Sequence, residues 1–260
     1  MVKNNFGQAH SLFYFYFSDM FTGFTFDILF EDEQLIVINK PVGILVHRTK
    51  ISEDQQFVLQ LLRNQIRQRV YPIHRLDRGT SGVLLFGKTK VMASQLNEQF
   101  REQQVRKSYL AIVRGFVETE GTIDYALQSK SHQPRQEAIT RYQSIAQTTF
   151  AAAISRYPSS RYSLVYIHPQ TGRQHQIRKH FAHLRHPVIG DKRYGDCKHN
   201  KYFREVLDIP RMLLHAHQLH FTHPLSRAPL LLSAPLDAAF QQTIQRLQFS
   251  IHSDFEDQLS

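Results

Sequence analysis

Residues 74–86 read HRLDRGTSGVLLF, and this stretch decides the fold and the chemistry that the sequence predicts. Two arginines, Arg75 and Arg78, flank the single acid Asp77. Two glycines then bound a tight turn, and the apolar run 83–86 predicts a buried strand. An aspartate side chain is ionised at neutral pH, and neighbouring arginines stabilise that charge. The residue type therefore suits a carboxylate nucleophile rather than a general acid.

The same residues also allow a purely structural interpretation. Asp77 would then only form ion pairs and cap the turn at Thr80 and Ser81. The stretch itself fits both interpretations equally well, so the role of this aspartate stays open until other segments are considered.

A second informative segment, residues 167–178, reads IHPQTGRQHQIR. The pattern predicts a strand that ends at Pro169, a turn at 171–172 and a helix that begins near Arg173. A helix start presents unpaired N–H groups and the positive end of the helix dipole, and both suit a phosphate group.

The helix that follows combines an apolar stripe with basic faces. Ile177, Phe181 and Leu184 recur at helical spacing and predict the buried side. The cations on the other faces and just beyond the helix are Arg178, Lys179, His183, Arg185, His186, Lys192, Arg193, Lys198 and His199. They fit an RNA phosphate track and, equally, a solvated surface.

The charge balance favours an anionic partner. The 260 residues include 32 Lys plus Arg against 22 Asp plus Glu, a formal net charge of +10. Such an excess attracts polyanions, nucleic acid first among them, although a generically basic protein has the same balance. The single cysteine, Cys197, excludes an intrachain disulfide and favours the cytoplasm. With no apolar run of ~18 residues, no membrane span is expected.

Apolar runs and capping signals predict an α+β fold. The expected strands are 28–30, 35–38, 83–86, 109–113, 161–167 and 212–221. The expected helices are 53–69 (capped by Ser52 and Gln55), 89–104 (capped by Thr89), 175–185 and 235–247 (opening at Pro235). The polar residues 118–136 are interpreted as a surface excursion. The mixed order predicts a largely antiparallel mixed sheet flanked by helices.

No break in composition divides the chain, so one domain over residues 27–250 is expected. Residues 1–26 are interpreted as a poorly ordered extension and residues 251–260 as a C-terminal tail. The apolar stretch 12–17 lacks the pattern of a secretory signal, and a translation start at Met20 is the simplest explanation of the residues before it.

Several motifs, in this order, resemble those of the RluA-type RNA pseudouridine synthases. They are KPVG at 40–43, HRLDRGTSGVLLF at 74–86, KSY at 107–109, TGRQHQIRKHFAHLRHPVIGDKRYG at 171–195 and LLHAHQLHFTHP at 213–224. The resemblance extends from about Ile28 to Pro235. It implies a single catalytic domain with a central RNA-binding cleft, which isomerises a flipped-out uridine without cofactor or metal.

The resemblance also implies catalytic roles. Asp77 would be the nucleophile that releases the uracil, attacking either the anomeric carbon or C6 of the base. Tyr109 would stack on the base and take part in removal of the C5 proton. Arg173 would pair with Asp77 and fix its rotamer.

The remaining assignments concern RNA binding. Arg75 would enter the gap that the flipped nucleotide leaves, since flipping costs a few kcal/mol that an inserted guanidinium can offset. Ile177 would line the pocket. Lys40 and Lys107 are interpreted as supporting or phosphate-facing, and Arg178 as RNA-binding.

Fifteen histidines raise the question of a metal site. The sequence has no His-Glu-x-x-His and no paired cysteines, so no metal is expected. Cys197 with His199 is a poor nucleophile pair, because both lie in what is expected to be a charged loop without an orienting group.

The expected substrate is tRNA. The first motif leaves no room for a preceding S4-type RNA-binding domain, which favours a compact, shape-defined RNA. Residues 156–165 and 183–191 resemble a subgroup whose target is uridine 65 of tRNA. A ribosomal-RNA synthase, a non-catalytic RNA-binding module and a hydrolase are the alternatives; the module would lack a nucleophile, and the hydrolase would need a second carboxylate. No protein partner is expected, and the chain is expected to be a monomer.

Overall fold

A mixed sheet of ten strands forms the centre of the described part of the chain, which is residues 24–48, 56–128 and 133–251 of the computed structural model. The strands are β1 Asp27–Glu31, β2 Leu35–Lys40, β3 Tyr71–Pro72, β4 Ser81–Gly87, β5 Arg106–Arg114, β6 Glu120–Asp124, β7 Ile139–Phe150, β8 Ser160–Pro169, β9 Leu214–Thr222 and β10 Pro229–Ser233. The helices are α1 Val58–Ile66, α2 Lys90–Arg101, α3 Gln176–His183, α4 Cys197–Glu205 and α5 Ala238–Arg246. The predicted α+β fold with one mixed sheet is confirmed.

The strands follow the order β1-β2-β4-β9-β5-β8-β7-β6, with β3 paired to β4 and β10 paired to β9. All pairs are antiparallel except β4 and β9, where Ser81 and Gly82 lie parallel to His215 and Ala216. At this junction a Cβ on Gly82 would lie 2.1 Å from the Ala216 carbonyl oxygen, and φ is +109°. The start of β4 therefore requires glycine.

Side chains of β2 and β4 alternate between the two faces of the sheet. One face packs against Val58 and Leu62 of α1. The other face packs against Met92 and Leu96 of α2. The two helices therefore cover opposite faces.

Tyr109 on β5 connects two of the apolar clusters. It packs against the cluster under α1 and against the cluster that contains Ile177 and Phe181 of α3. Helices α1 and α3 therefore cover the same face. On the other face of β5, Phe203 of α4 and Phe240 of α5 share a third cluster.

Several elements differ from the sequence expectation, among them the short strand β3, which was not predicted. Residues 118–136 contain β6, which pairs with the long strand β7. Strand β7 was not predicted because small polar side chains, such as Thr140 and Ser144, occupy buried positions and weaken the apolar alternation. Residues 197–205, expected as loop, form α4, which is capped by the Asp196 carboxylate and has only His199 and Phe203 on its buried side. Strand β10 was also not predicted.

Helix ends agree with the sequence in part. Thr89 caps α2 as predicted, its hydroxyl accepting from the N–H of Met92 at 3.1 Å. Helix α1 begins at Val58 rather than residue 53, and the expected caps Ser52 and Gln55 lie outside the described residues. Helix α5 begins after its cap Asp237 rather than at Pro235.

The domain includes residues before the expected boundary at 27. Phe26 is buried, and its backbone exchanges two hydrogen bonds with the side-chain amide of Gln65. Residues 1–23 and 252–260, which include Met20 and nearly all of the expected tail, lie outside the described residues. None of the helices within the described ranges is long and apolar enough to cross a membrane.

Candidate active site

Asp77 lies on the segment that joins β3 to β4, residues 73–80, termed the Asp77 loop. The loop is anchored by the buried side chain of Leu76 and by a turn in which the N–H of Thr80 donates to the Asp77 carbonyl at 3.1 Å. The N–H of Gly43 donates to the Arg78 carbonyl at 2.8 Å. The first motif of the chain therefore directly supports the loop that carries the aspartate.

The carboxylate of Asp77 is held by α3. Arg178 Nη1 lies 2.8 Å from Asp77 Oδ2, and His175 Nε2 lies 3.6 Å from Asp77 Oδ1. The Asp77 side chain is 21% exposed. It is therefore both oriented by a guanidinium and open to an entering ligand, as a carboxylate nucleophile or base must be.

Arg178 bridges two acids. Its Nε and Nη2 atoms donate to Asp191 at 2.7 and 2.8 Å, and its third donor serves Asp77. The Asp191 oxygen Oδ1 also accepts the backbone N–H groups of Arg193 and Tyr194. Burial alone would raise the pKa of Asp191, but its bonds to Arg178 and these N–H groups hold that pKa below its usual range. The guanidinium is thus fixed between two carboxylates.

This geometry corrects two assignments made from the sequence. Arg173, expected to pair with Asp77, instead donates from Nε to the carbonyl of Glu137 at 2.9 Å. Arg178, expected to face RNA, has a side chain only 12% exposed and supplies that pairing. The reason is local: α3 begins at Gln176 rather than near Arg173, after His175 adopts a left-handed φ of 56°.

The phosphate site predicted at the start of this helix also differs from the expectation. The N–H of Arg173 donates to the side-chain oxygen of Gln176 at 2.9 Å, and the hydroxyl of Thr171 donates to the same oxygen. The side chain of Gln176 therefore takes the place expected for a phosphate.

Lys40 takes the supporting place of the two that the sequence left open, and not the RNA-binding one. Its side chain is fully buried, and Nζ donates to the carbonyls of Pro41 and Thr80, both at 2.8 Å, and of Arg78 at 3.4 Å. Burial lowers the pKa of Lys40 to about 7, against the raising influence of the Asp77 charge. Lys40 does not face phosphate, because its donors bind carbonyls on both sides of the aspartate.

Tyr109 lies partly buried at the point where the α1 and α3 clusters meet. Burial and then the nearby charge of Asp77 raise the pKa of its phenol above the ordinary value. The phenol therefore stays protonated at neutral pH. Ile177 is buried in one of the clusters against which this ring packs, which is consistent with its predicted place at the pocket.

Known proteins resemble this chain over most of its length. The family described as RNA pseudouridylate synthase matches residues 34–183. A protein of Vibrio vulnificus named tRNA pseudouridine synthase C is 44% identical over 234 residues, covering 86% of this chain and 96% of that protein. The protein of the same name from Haemophilus ducreyi is 46% identical over 240 residues, covering 88% and 98%.

This chain belongs to the RNA pseudouridylate synthase family. The synthase is therefore an isomerase that acts on RNA. Among solved structures, the human RNA pseudouridylate synthase domain containing 4 is similar with a TM-score of 0.68 and 27% identity, over 92% of this chain and 99% of that one. The expected RluA-type resemblance is confirmed by these matches.

The synthase places its other predicted RNA-facing residues near the same loop. Arg75 is exposed, two residues before Asp77. Lys107 is half-buried, with Nζ 3.5 Å from the Thr171 carbonyl, and burial lowers its pKa to about 8. Arg75 is therefore accessible to a strand that approaches Asp77, whereas Lys107 already donates to a carbonyl.

Two residues of the synthase site were not assigned from the sequence. Asp191 was quoted only as part of a motif, and its spacing of thirteen residues from Arg178 gives no helical or strand signal that would link them. His175 was counted as part of a helix, yet it contacts Asp77. Its Nδ1 atom also shares a hydrogen bond with the Tyr194 hydroxyl at 3.0 Å. Burial lowers its pKa, so its ring is neutral at pH 7.

Several histidines of the synthase occupy buried hydrogen-bonding positions instead of a metal site. His180 contacts the Thr140 hydroxyl at 2.9 Å, His199 the Tyr162 hydroxyl at 2.9 Å, and His215 the Ser81 hydroxyl at 2.8 Å. In the described ranges no group of three or more His, Cys, Asp or Glu side chains could hold a metal ion.

Proposed function

We propose that this protein converts uridine 65 of tRNA to pseudouridine, with Asp77 as the nucleophile. The observation that carries the proposal is the Asp77 carboxylate, which is partly exposed and oriented by Arg178 beside the partly buried Tyr109. The names of the relatives, which are at least 43% identical over most of this chain in the first four cases, support tRNA as the substrate. The choice of uridine 65 rests on the subgroup resemblance.

In the proposed reaction Asp77 attacks the anomeric carbon of the ribose or C6 of the uracil, and the bond between N1 and C1′ breaks. The freed base turns within the pocket and C5 forms a bond to C1′. The bond from the Asp77 carboxylate to C1′ or C6 breaks, which frees the carboxylate. The proton on C5 then leaves, which restores the aromatic ring and yields the isomer. Arg178 holds the attacking carboxylate in one rotamer before the attack.

Tyr109 supports the second half of this reaction. Its ring stacks on the turning base, and its hydroxyl relays the C5 proton. Because the phenol is protonated at neutral pH, it can accept a proton only as it gives up its own. The adjacent carboxylate of Asp77 is a suitable acceptor once the covalent bond to it is broken.

Arg75 captures the flipped state. Its exposed guanidinium enters the stack where the uridine was, and Lys107 meets a nearby phosphate. The exposed cations Lys192 and Arg193 follow Asp191 and extend the contact along the backbone. The net charge of +10 strengthens association at low salt.

The broader organisation follows from the same proposal. We expect residues 27–250 to act as one catalytic unit, with no cofactor and no protein partner, as a monomer in the cytoplasm where tRNA is processed. Residues 1–19 and 252–260 are expected to add nothing to this chemistry. An enzyme truncated to residues 20–251 should therefore retain full activity on a tRNA transcript.

Mapping of pseudouridine at single-nucleotide resolution tests the proposal. RNA from a strain that lacks the gene should lose pseudouridine 65 in tRNA, and a plasmid copy should restore it. A copy with Asp77→Asn should not restore it. Loss of a ribosomal pseudouridine with intact tRNA would identify a ribosomal-RNA synthase instead, and restoration by the Asp77→Asn copy would remove Asp77 from its assigned role.

A further inference from the structure

The surface around the C-terminal end of α1 has charge of one sign. Arg48, Arg63, Arg67 and Arg69 are exposed there, and together they are termed the α1 arginine surface. Residues 56–76 contain four arginines and no acid. A solvated face usually mixes both signs, so a stretch with only positive charge is better suited to an anionic ligand.

Among the described residues, no acid pairs with Arg63, Arg67 or Arg69 of this surface. Within the described ranges, Arg63 donates only to the Asn64 side chain, and Arg69 lies 5.3 Å from the ring of Tyr71. No ion pair of Arg63, Arg67 or Arg69 is formed in the part of the chain that the structure describes. Their donors remain available to a ligand.

A cleft of about 420 Å³ lies beside this surface. Its lining residues are His47, Arg48, Phe57, Leu59, Gln60, Arg63, Arg69 and Val70. Arg67 joins Arg63 and Arg69 around an adjacent, shallower depression. Asp77 lines neither, so these depressions are separate from the site described above. Arginines around a partly apolar floor suit a sugar–phosphate chain, since the planar guanidinium binds phosphate through two parallel bonds.

The surface lies on the same face of the sheet as Asp77. Leu76 of the Asp77 loop and Tyr109 both pack in the cluster that α1 covers. The segment before Arg48 is joined to the loop by the bond between Gly43 and Arg78. Five residues separate Gly43 from Arg48, which limits their Cα distance to about 18 Å.

We propose that the α1 arginine surface binds the sugar–phosphate backbone of the substrate RNA, next to the flipped uridine. Because Gly43 bonds to the Asp77 loop and Arg48 follows five positions later, the contact falls within a few nucleotides of the target uridine. The inference rests on the proposed activity on tRNA and adds the contact that positions its stem. It also assigns a role to residues that the resemblance left without one.

The test compares two triple variants that lose the same charge. R63Q/R67Q/R69Q removes three cations of the α1 arginine surface. K90Q/R101Q/R227Q removes three exposed cations from α2, on the opposite face of the sheet, and from the β9–β10 turn. Both full-length proteins are assayed for pseudouridine formation on an unmodified tRNA transcript, and folding is checked by circular dichroism. Binding is measured from 50 to 300 mM KCl.

The first variant should raise KM roughly tenfold at about 0.15 M salt and reduce the slope of log Kd against log salt by about 2, because three phosphate contacts contribute ~0.7–0.9 each. The substitutions should raise KM and leave kcat unchanged. The second variant should change KM less than about twofold. Equal effects of the two variants would show a general charge effect and overturn the proposal, as would an unchanged salt slope in the first.

Two further measurements keep the outcome decisive. If the triple variant melts at a lower temperature, R63Q alone is assayed, and a KM rise of about twofold with a slope change near 0.8 is expected. If wild-type enzyme fails to modify tRNA but modifies a ribosomal RNA fragment, the tRNA assignment fails. The same comparison on that fragment then decides the role of the surface independently.

Discussion

Arg178 donates from Nη1 to the Oδ2 atom of Asp77 across 2.8 Å. The two residues are 101 positions apart in the sequence, and this bond connects the Asp77 loop to α3. The same guanidinium is anchored from behind by Asp191, which is 1% exposed. The orientation of the proposed nucleophile therefore depends on a chain of three charged groups, of which only the first is open to substrate.

Replacing Arg178 by lysine should disable chemistry while leaving RNA bound. A single ammonium cannot make the three bonds to Asp77 and Asp191 that the planar guanidinium makes. A misplaced nucleophile costs about 100-fold in rate, so kcat should fall by about that factor. Single-turnover kinetics on a tRNA transcript measure the step directly. Arg173→Lys is the matched control and should keep kcat within about threefold; a large loss there instead would restore Arg173 to the role first expected for it.

Asp191→Asn should impair both stability and turnover. Asparagine can still accept from the N–H groups of Arg193 and Tyr194, but it no longer balances the charge of Arg178. The free energy of unfolding should fall by about 2–3 kcal/mol, the range for a buried hydrogen bond to a charged group. Urea denaturation measures this, and kcat should decrease at unchanged KM.

Asp196→Asn is the control for that change. Asp196 caps α4 and pairs with Arg114, so its loss should lower stability without reaching Asp77. If Asp191→Asn and Asp196→Asn reduced kcat equally, the effect would come from stability alone, and Asp191 would have no positioning role.

The elements with a strong local pattern were predictable from the sequence. The apolar runs of β2 and β4, the helical stripe of α3 and the Thr89 cap are each visible within a few residues. The partner of Asp77 was not predictable in the same way. Arg173 and Arg178 lie in one motif, and the choice between them depends on where α3 begins, which a single left-handed residue decides.

The burial of charged residues was the other feature that could not be predicted from the sequence. Nothing in a sequence distinguishes a lysine that faces phosphate from one that is enclosed, and for Lys40 both the supporting and the phosphate-facing interpretation stayed open. Its burial becomes clear only when β2, the Asp77 loop and three carbonyl oxygens are brought together. Asp191 was missed for the same reason, since its partners are set by tertiary packing.

Lys40→Met should change how stability depends on pH. In the folded protein the pKa of Lys40 is lowered to about 7, whereas an unfolded lysine has a value near 10.5. Between these values the unfolded chain binds one more proton, so this group makes stability rise with pH by up to about 1.4 kcal/mol per unit and adds no slope below pH 7.

The measurement for Lys40 is the difference between variant and wild type. Urea denaturation at pH 7, 8 and 9 should show a steeper rise for wild type than for Lys40→Met. Lys107 and Arg211, whose pKa values are also lowered by burial, are present in both proteins and cancel. Parallel curves would mean that Lys40 stays charged in the fold and that the assigned depression is wrong.

Arg75→Ala should weaken capture of the flipped uridine more than overall affinity. Arg75 is exposed and adjoins the Asp77 loop, so its guanidinium is available to fill the vacated stack. We expect kcat/KM to fall by about 10–100-fold, corresponding to roughly 1.5–3 kcal/mol of lost stacking and charge. Fluorescence of 2-aminopurine beside the target reports flipping. If the Arg75→Ala variant showed the same fluorescence and the same activity at limiting RNA as wild type, insertion of the Arg75 guanidinium into the stack would be contradicted.

Tyr109→Phe should slow removal of the C5 proton. Burial and the Asp77 charge raise the pKa of this phenol, so it is protonated throughout pH 6–9 and contributes no ionisation to the rate profile in that range. Loss of a proton relay costs about 10²–10⁴-fold, whereas the retained ring still stacks on the base and should keep Kd within about threefold. Release of tritium from a tRNA transcript labelled at C5 of uridine measures the step.

Tyr166→Phe is the matched control, because that hydroxyl donates to Gln218 and its ring packs in the cluster under α4 and α5. Tritium release at the wild-type rate by Tyr109→Phe would show that another group takes the proton, and the ring alone would then explain why a tyrosine stands there.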